Sequence, residues 1–177
     1  MAFDSGTLVV EGPVPPDLPP QFEWDSRVER FRAPAVARRP AVQYMEKRGL
    51  DFEDASSESK PLDLNLRTAY SPHPYQKEAF VAWAKAGKCG TVVLPTGAGK
   101  TFVALGAIKS VSRSALVVAP TIDLMSQWYS LLVDSFGIEV GILGGGYHEI
   151  RDITVTTYDS AYIHAADYGN RFDLVVF

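Results

Sequence analysis

The sequence holds one cysteine, Cys89, so no disulfide can form within the chain, and a reducing compartment suits it. It also lacks an excess of basic charge: 17 Lys and Arg face 21 Asp and Glu, for a net charge of -4. A broadly basic surface is thereby excluded, and any contact with nucleic acid has to come from a local patch. No apolar run approaches the roughly 20 residues needed to cross a bilayer, so no membrane association is expected. The opening "MAFDSGTLVVEG" has no basic stretch followed by an apolar one, which argues against a signal peptide. The histidines and the cysteine show no metal-ligand spacing, so no zinc site is expected. Internal repeats are absent too. What remains is an ordinary globular composition, 46% hydrophobic and 21% charged, and 177 residues suffice for one domain or two small ones.

Composition divides the chain. Residues 1–55 read as a small α+β domain. A strand is expected from Thr7 to Glu11, then a proline-rich turn from Pro13 to Pro20, where proline removes backbone donors. "FEWDSRVERFRAP" reads as extended, and a helix is expected from about Ala35 to Arg48, closed by Gly49 at the position after the C-cap. Leu50 to Phe52 read as a further short strand. The polar, Ser-rich stretch "EDASSESKPLDLN" reads as a linker, with residues 56–69 between the two domains. From Tyr70 to Phe177 apolar strands alternate with amphipathic helices, the pattern of βαβ units and a parallel sheet.

The strongest signal is "TVVLPTGAGKT", Thr91 to Thr101. A β-branched strand is expected over Thr91 to Leu94, a tight turn over Pro95, Thr96, Gly97, Ala98 and Gly99, and a helix from Lys100. Strand, turn and helix in this order suit a loop that cradles phosphates on backbone N–H groups at a helix N-terminus. Lys100 would reach the β- and γ-phosphates of ATP, and the Thr101 hydroxyl would bind Mg²⁺. The strict G-x-x-x-x-G-K-[ST] pattern is not met, because Leu94 stands where its first glycine would be.

"PTGAGKT" without that glycine resembles motif I of superfamily 2 helicases. Other stretches agree in order and spacing. "PYQKEAF" resembles the upstream Tyr-Gln element, whose Gln contacts adenine, which points to Tyr75 and Gln76. "VVAPTIDLMSQW" resembles motif Ia, and "GILGGG" and "VTTYDSAY" resemble later DNA-contacting elements. These point to Thr121, Gly144, Gly145 and Thr157 as DNA contacts. "NRFDLVVF" resembles the strand that leads into the family's Asp-Glu-x-His box. Together with "VERFRAP" and "VQYMEKRGLDFED", the chain resembles the XPB family, above all its short archaeal and bacterial members. In that family the first domain recognises damaged or distorted DNA. Position 73 departs from the family, with His73 where an Arg is usual.

The resemblance implies an α/β fold: an incomplete RecA-like parallel sheet with flanking helices after a small α+β domain. It implies an ATP- and Mg²⁺-dependent DNA helicase or translocase acting on double-stranded or damaged DNA in repair or transcription. It further implies a cytoplasmic, nucleoid-associated prokaryotic protein, with a nuclease companion in archaeal relatives. An acidic pair after Phe177, and arginines of a second RecA-like domain, would complete the chemistry. The chain is therefore expected to be the front part of such a motor and to be inactive in hydrolysis by itself. A strand is expected to be missing between Thr91–Leu94 and Asp173–Phe177, leaving both edges unpaired. Two other classes stay open: another superfamily 2 motor, such as a restriction translocase, and a non-catalytic module that binds DNA or nucleotide.

Several residues have plainer roles as well. Tyr75 and Gln76 could start and pack a helix, and Thr121 and Thr157 could be helix caps alone. Leu124 and Trp128, four apart, are expected in the core. Gly144 to Gly146 serve equally as a turn or as a close approach for phosphate. Arg30 and Arg32, interleaved with Trp24 and Phe31, are candidates for DNA contact. Glu23, Asp25 and Glu29 offset their charge, and a solvated strand is the favoured reading there.

Overall fold

The computed structural model describes every residue other than Pro13, Pro15, Pro16, Asp17, Thr68, Ala69 and Tyr70. Part of the proline-rich turn and the expected domain start at Tyr70 thus lie outside the described residues. The contacts divide the chain into two compact units, Met1–Ser59 with Tyr162–Phe172, and Lys60–Ala161 with Asp173–Phe177.

In the first unit, short strands β1 (Ala2–Asp4), β2 (Thr7–Val9), β3 (Glu23–Asp25) and β4 (Arg30–Pro34) form an antiparallel sheet in the order β1-β2-β4-β3. The expected helix is present as a 3₁₀ turn, Ala35–Ala37, that continues into α1 (Arg38–Lys47). Leu8 and Ala33 of the sheet bury against Ala37, Ala41 and Met45. Gly49 adopts φ 64°, and α1 closes with the Gly49 N–H donating to Glu46 O and the Leu50 N–H donating to Met45 O. This is the double bond of a Schellman end. It explains why the strand expected at Leu50–Phe52 does not form. The Leu50 N–H is already spent on the helix, and the sheet receives only an isolated bridge between Ala2 and Ala55.

The second unit holds α2 (Pro74–Lys85), α3 (Lys100–Val111), β5 (Ala115–Ala119), α4 (Ile122–Phe136), β6 (Gly141–Gly144), β7 (Tyr147–Glu149), β8 (Ile153–Thr157) and β9 (Leu174–Val176). Helix α5 (Tyr158–Tyr168) follows β8 directly. The sheet order is β7-β6-β8-β5-β9, parallel except for the β6–β7 hairpin. Ala115, Val117 and Ala119 of β5 and Ile153 and Val155 of β8 are buried, as a sheet covered on both faces requires. The buried hydroxyls of β8 are satisfied locally: Thr156 Oγ1 donates to Leu143 O at 2.8 Å and Thr154 Oγ1 to Arg151 O at 2.7 Å. Residues 60–65, the end of the polar stretch, belong to this unit, with Leu64 in its core and the Leu62 N–H donating to Ser112 O at 2.8 Å.

Two local expectations are corrected. Thr91–Leu94 does not form a strand. A strand needs a neighbour to complete its ladder, and among the described residues none pairs there. The sheet ends at β9, and Val93 is 85% exposed. A cavity of about 300 Å³ separates Thr91 and Val92 from Leu174–Phe177. Both edges are thus unpaired on the sides that face this gap. The core face of α4 also differs. Met125, Leu132 and Phe136 are buried, while Leu124 is exposed and Trp128 packs only partly against the core. A step from Met125 back to Leu124 turns about 100° around the helix, which carries Leu124 off the buried stripe.

The two leucines of α4 should therefore behave differently in urea unfolding. Leu132→Ala, at a fully buried position, should lower stability by about 2–5 kcal/mol. Leu124→Ala should cost less than about 1 kcal/mol. Equal losses would show that the buried face has been misassigned.

Candidate functional site

The loop between Leu94 and α3 is shaped by glycine. Gly97 has φ 79°, and Gly99, the residue before α3, has φ 73°. Both lie in the left-handed region that favours glycine. A Cβ on Gly99 would also collide with Gln76 Nε2. Gly99 offers no capping side chain, so the N-terminus of α3 is left to backbone N–H groups. Lys100 Nζ donates to Leu94 O at 3.0 Å and Pro95 O at 3.2 Å. The ammonium group therefore folds back over the entry to its own loop. The Ala98 N–H donates to Pro95 O at 3.2 Å, closing the turn. Lys100 and Thr101 are exposed at the start of the helix. The residues present suit a nucleotide phosphate: a helix N-terminus without a side-chain cap, a glycine turn and a lysine at its mouth.

Gln76 is placed in the interior, 2% exposed. Its Oε1 accepts from the His73 N–H at 2.9 Å, and its Nε2 donates to Ala98 O at 2.8 Å. One side chain thus joins the first turn of α2 to the Gly-Lys-Thr loop. The structure brings Gln76 to the loop backbone, whereas Tyr75 remains partly exposed and stacks on the His73 ring at 5.4 Å and 8°. Sequence reasoning missed the His73–Tyr75 pair, although two rings two residues apart at the start of a helix are visible in the sequence.

A second cluster forms at the C-terminal ends of β5, β6 and β8. Thr121 caps α4, with its Oγ1 accepting from the Leu124 N–H at 3.2 Å. Thr157 Oγ1 accepts from the Ser160 N–H at 3.4 Å and donates to Ser160 Oγ at 3.1 Å. Both plain capping roles are therefore real. Gly144, Gly145 and Gly146 have φ 125°, 60° and 91°. A Cβ on Gly144 would lie 2.7 Å from Ser160 Oγ and 3.3 Å from Thr157 Oγ1, and one on Gly145 would lie 3.3 Å from Ile122 Cγ2. Thr121, Gly144, Gly145 and Thr157 are thus brought to one edge, and Ile122 and Ser160 join them. Ser160 was legible as the third residue after a capping Thr; Ile122 carried no signal.

Arg30 and Arg32 belong to the first unit, on β4. Arg30 Nη1 bonds Glu11 Oε1 at 2.6 Å. Arg32 is paired with Asp4, lies 3.7 Å from Asp25 Oδ2 and donates to Thr7 Oγ1 at 2.8 Å. Arg27 donates to Asp25 through its guanidinium and its backbone N–H. Chiefly through the Arg27 side chain, these bonds hold the Asp25 carboxyl down at about 2.

Residues 1–55 match the family model described as "Xeroderma pigmentosum group B helicase damage recognition domain". Residues 69–177, more than half of the chain, match the one described as "Type III restriction enzyme, res subunit". The chain belongs to this last family, and its first 55 residues match the XPB damage recognition domain. It is 38% identical over 158 residues to the "DNA 3'-5' translocase XPB2" of Sulfurisphaera tokodaii, covering 89% of this chain and 36% of that protein. It is 32% identical over 123 residues to the "DNA 3'-5' helicase XPB" of Kineococcus radiotolerans, covering 66% of this chain and 22% of that one. The chain thus spans about a third or less of the length of these relatives. The crystal structure of the UvsW helicase from Bacteriophage T4 overlaps with a TM-score of 0.47 at 16% identity, over 86% of this chain and 62% of that one. That likeness is too slight to carry weight. No helix among the described residues is long and apolar enough to cross a membrane.

Gln76→Leu should cut the tie between α2 and the loop, and the lost buried hydrogen bonds should cost about 1–3 kcal/mol. Hydrogen exchange should show faster opening of the amides of Ala98 to Thr101, and unchanged exchange would refute the tie. Asp25 makes a pH prediction. Its folded value of about 2 lies below the ordinary 3.8. Its contribution is therefore present above that ordinary value and is lost as pH falls toward the folded value. A carboxyl NMR titration should show a midpoint near 2, rising toward the ordinary value in Arg27→Ala.

Proposed function

We propose that this chain is the front part of an ATP-dependent DNA helicase or translocase of the XPB type, acting on duplex or damaged DNA in repair or transcription. The observation that carries the reading is the placement of two features in one unit. The Gly-Lys-Thr loop opens α3, and a row of capped helix starts and glycines occupies the C-terminal edge of the sheet. Ligands of open α/β sheets bind outside the carboxyl ends of the strands.

In this reading Lys100 leaves the carbonyls of Leu94 and Pro95 and pairs with the β- and γ-phosphates of ATP. The N–H groups at the start of α3 hold phosphate oxygens, and the Thr101 hydroxyl holds Mg²⁺. When bound, Mg²⁺ neutralises charge on the transferring phosphoryl group. Gln76 keeps Ala98 and Gly99 in place, so the loop needs little reordering. Thr121, Gly144, Gly145 and Thr157 present donors to the DNA backbone, which positions a strand without reading its sequence. The acidic pair that orients water and the arginines that stabilise the transition state belong to parts of the motor beyond this chain. A second reading, a module that binds nucleotide or DNA without turnover, is favoured by the unpaired Thr91–Leu94 segment.

Residues 1–177 should bind a fluorescent ATP analogue weakly and hydrolyse ATP at no measurable rate. Lys100→Ala should weaken that binding at least about tenfold, as expected for loss of a charged hydrogen bond. DNA-stimulated hydrolysis by this chain in a single-turnover assay would show that the chain is catalytically self-sufficient.

A further inference from the structure

We propose that Tyr147 is a base-stacking residue of the DNA-contacting edge, holding an unpaired base beside the Thr157–Ser160 turn. The proposal rests on reading that edge as a nucleic-acid contact, and it adds a residue with no place in the motifs described above.

The register of the β6–β7 hairpin sets the geometry. Gly144 lies directly opposite Tyr147, and Gly145 and Gly146 form the two-residue turn between them, both with positive φ. This is the tight hairpin turn that only small residues adopt freely. Side chains of directly opposed residues stand on the same face of a sheet. The face of Gly144 is known from what a Cβ there would meet, Ser160 Oγ and Thr157 Oγ1 at the start of α5. Tyr147 therefore rises on the side of the α5 N-terminus. The next residue on β6, Leu143, is buried in the core, so the hairpin is oriented by its apolar side and cannot turn over without exposing it.

Tyr147 is 62% exposed, on a strand with every residue exposed at the edge of the sheet. No ring packs against it among the described residues. Tyr158, the other aromatic at this edge, is occupied by Phe177, with which it stacks at 6.0 Å and 20°. Gly144, Gly145 and Gly146 carry no side chains on the turn beside Tyr147, and the Ile122 side chain borders it at Gly145. The chemistry is complementary. The N–H groups and hydroxyls of the α5 start suit a phosphate, and a phenol ring beside them suits the face of the attached base. Stacking on a ring is tolerant of base identity, as a protein that moves along DNA requires. It also supplies affinity that a chain of net charge -4 does not gain from broad electrostatics.

The test measures binding of residues 1–177 to a labelled oligo-dT single strand by fluorescence anisotropy across a salt series. Tyr147→Ala should weaken binding by about 5- to 100-fold with the salt slope unchanged, because a stacked base releases no counterions. Tyr147→Phe should bind within about twofold of the parent, since the ring face is kept. A 2-aminopurine base in the strand should be quenched by the parent and by Tyr147→Phe, and not by Tyr147→Ala. Wild-type affinity in Tyr147→Ala overturns the proposal and leaves the DNA reading standing. A changed salt slope assigns Tyr147 to the phosphates and overturns stacking. Absence of binding by the parent chain overturns both. Because the quenching compares parent with Tyr147→Phe, it decides the matter even if the alanine variant misfolds: no quenching by either ring-bearing protein sinks the idea.

Discussion

The parallel pairing of Ala115–Ala119 with Ile153–Thr157 is the constraint on which the rest of the second unit depends. Parallel neighbours cannot be joined by a tight turn, so the chain must leave each strand at its carboxyl end and return through a helix. Every such exit falls on the same edge. Two residues after β5, Thr121 caps α4, and the residue after β8 opens α5. The positive ends of two helices meet at one rim without any side chain having to specify it. Thr121 and Thr157 cap those helices because the backbone there needs an acceptor. The same groups are what a phosphate would use. In the proposed reading a phosphate would compete with the two threonine oxygens for those backbone N–H donors.

The phosphate loop depends on a different contact. Without nucleotide, a loop of this kind has unsatisfied backbone and a mobile lysine. Here Lys100 folds onto two loop carbonyls, and Gln76 fastens the loop from beneath. Gln76 is buried with both ends of its amide used, so its removal would expose need on two elements at once. The strand that should lead into the loop is the part left without support. Thr91–Leu94 has the β-branched composition of a strand and no ladder to join. Propensity alone does not hold a strand together.

In the first unit Arg27, Arg30 and Arg32 are paired with acids of the same unit. Arg27 and Arg32 both reach Asp25, Arg32 also reaches Asp4, and Arg30 reaches Glu11. Such exposed pairs are individually worth little, but together they cancel the charge that a basic patch would need. A DNA contact by this sheet would have to break pairs that already exist. The second unit faces no such cost at its glycine and threonine rim.

Much of this was legible in the sequence. The spacing of Gly97, Gly99, Lys100 and Thr101 fixed a glycine turn opening a helix. The alternation of apolar strands and helices from Tyr70 to Phe177 pointed to a parallel sheet, which forms without the strand expected at Thr91–Leu94. Gly49 ended its helix as expected. What the tertiary structure alone decided was pairing and facing. It kept Thr91–Leu94 from forming a strand, spent the Leu50 N–H on a helix end, turned Leu124 outward and Met125 inward, and sent Gln76 into the interior. It also set Tyr147 opposite Gly144, on the face of the α5 start. Each of these depends on which distant segment occupies the neighbouring space, and that is a property of packing that no window of sequence contains.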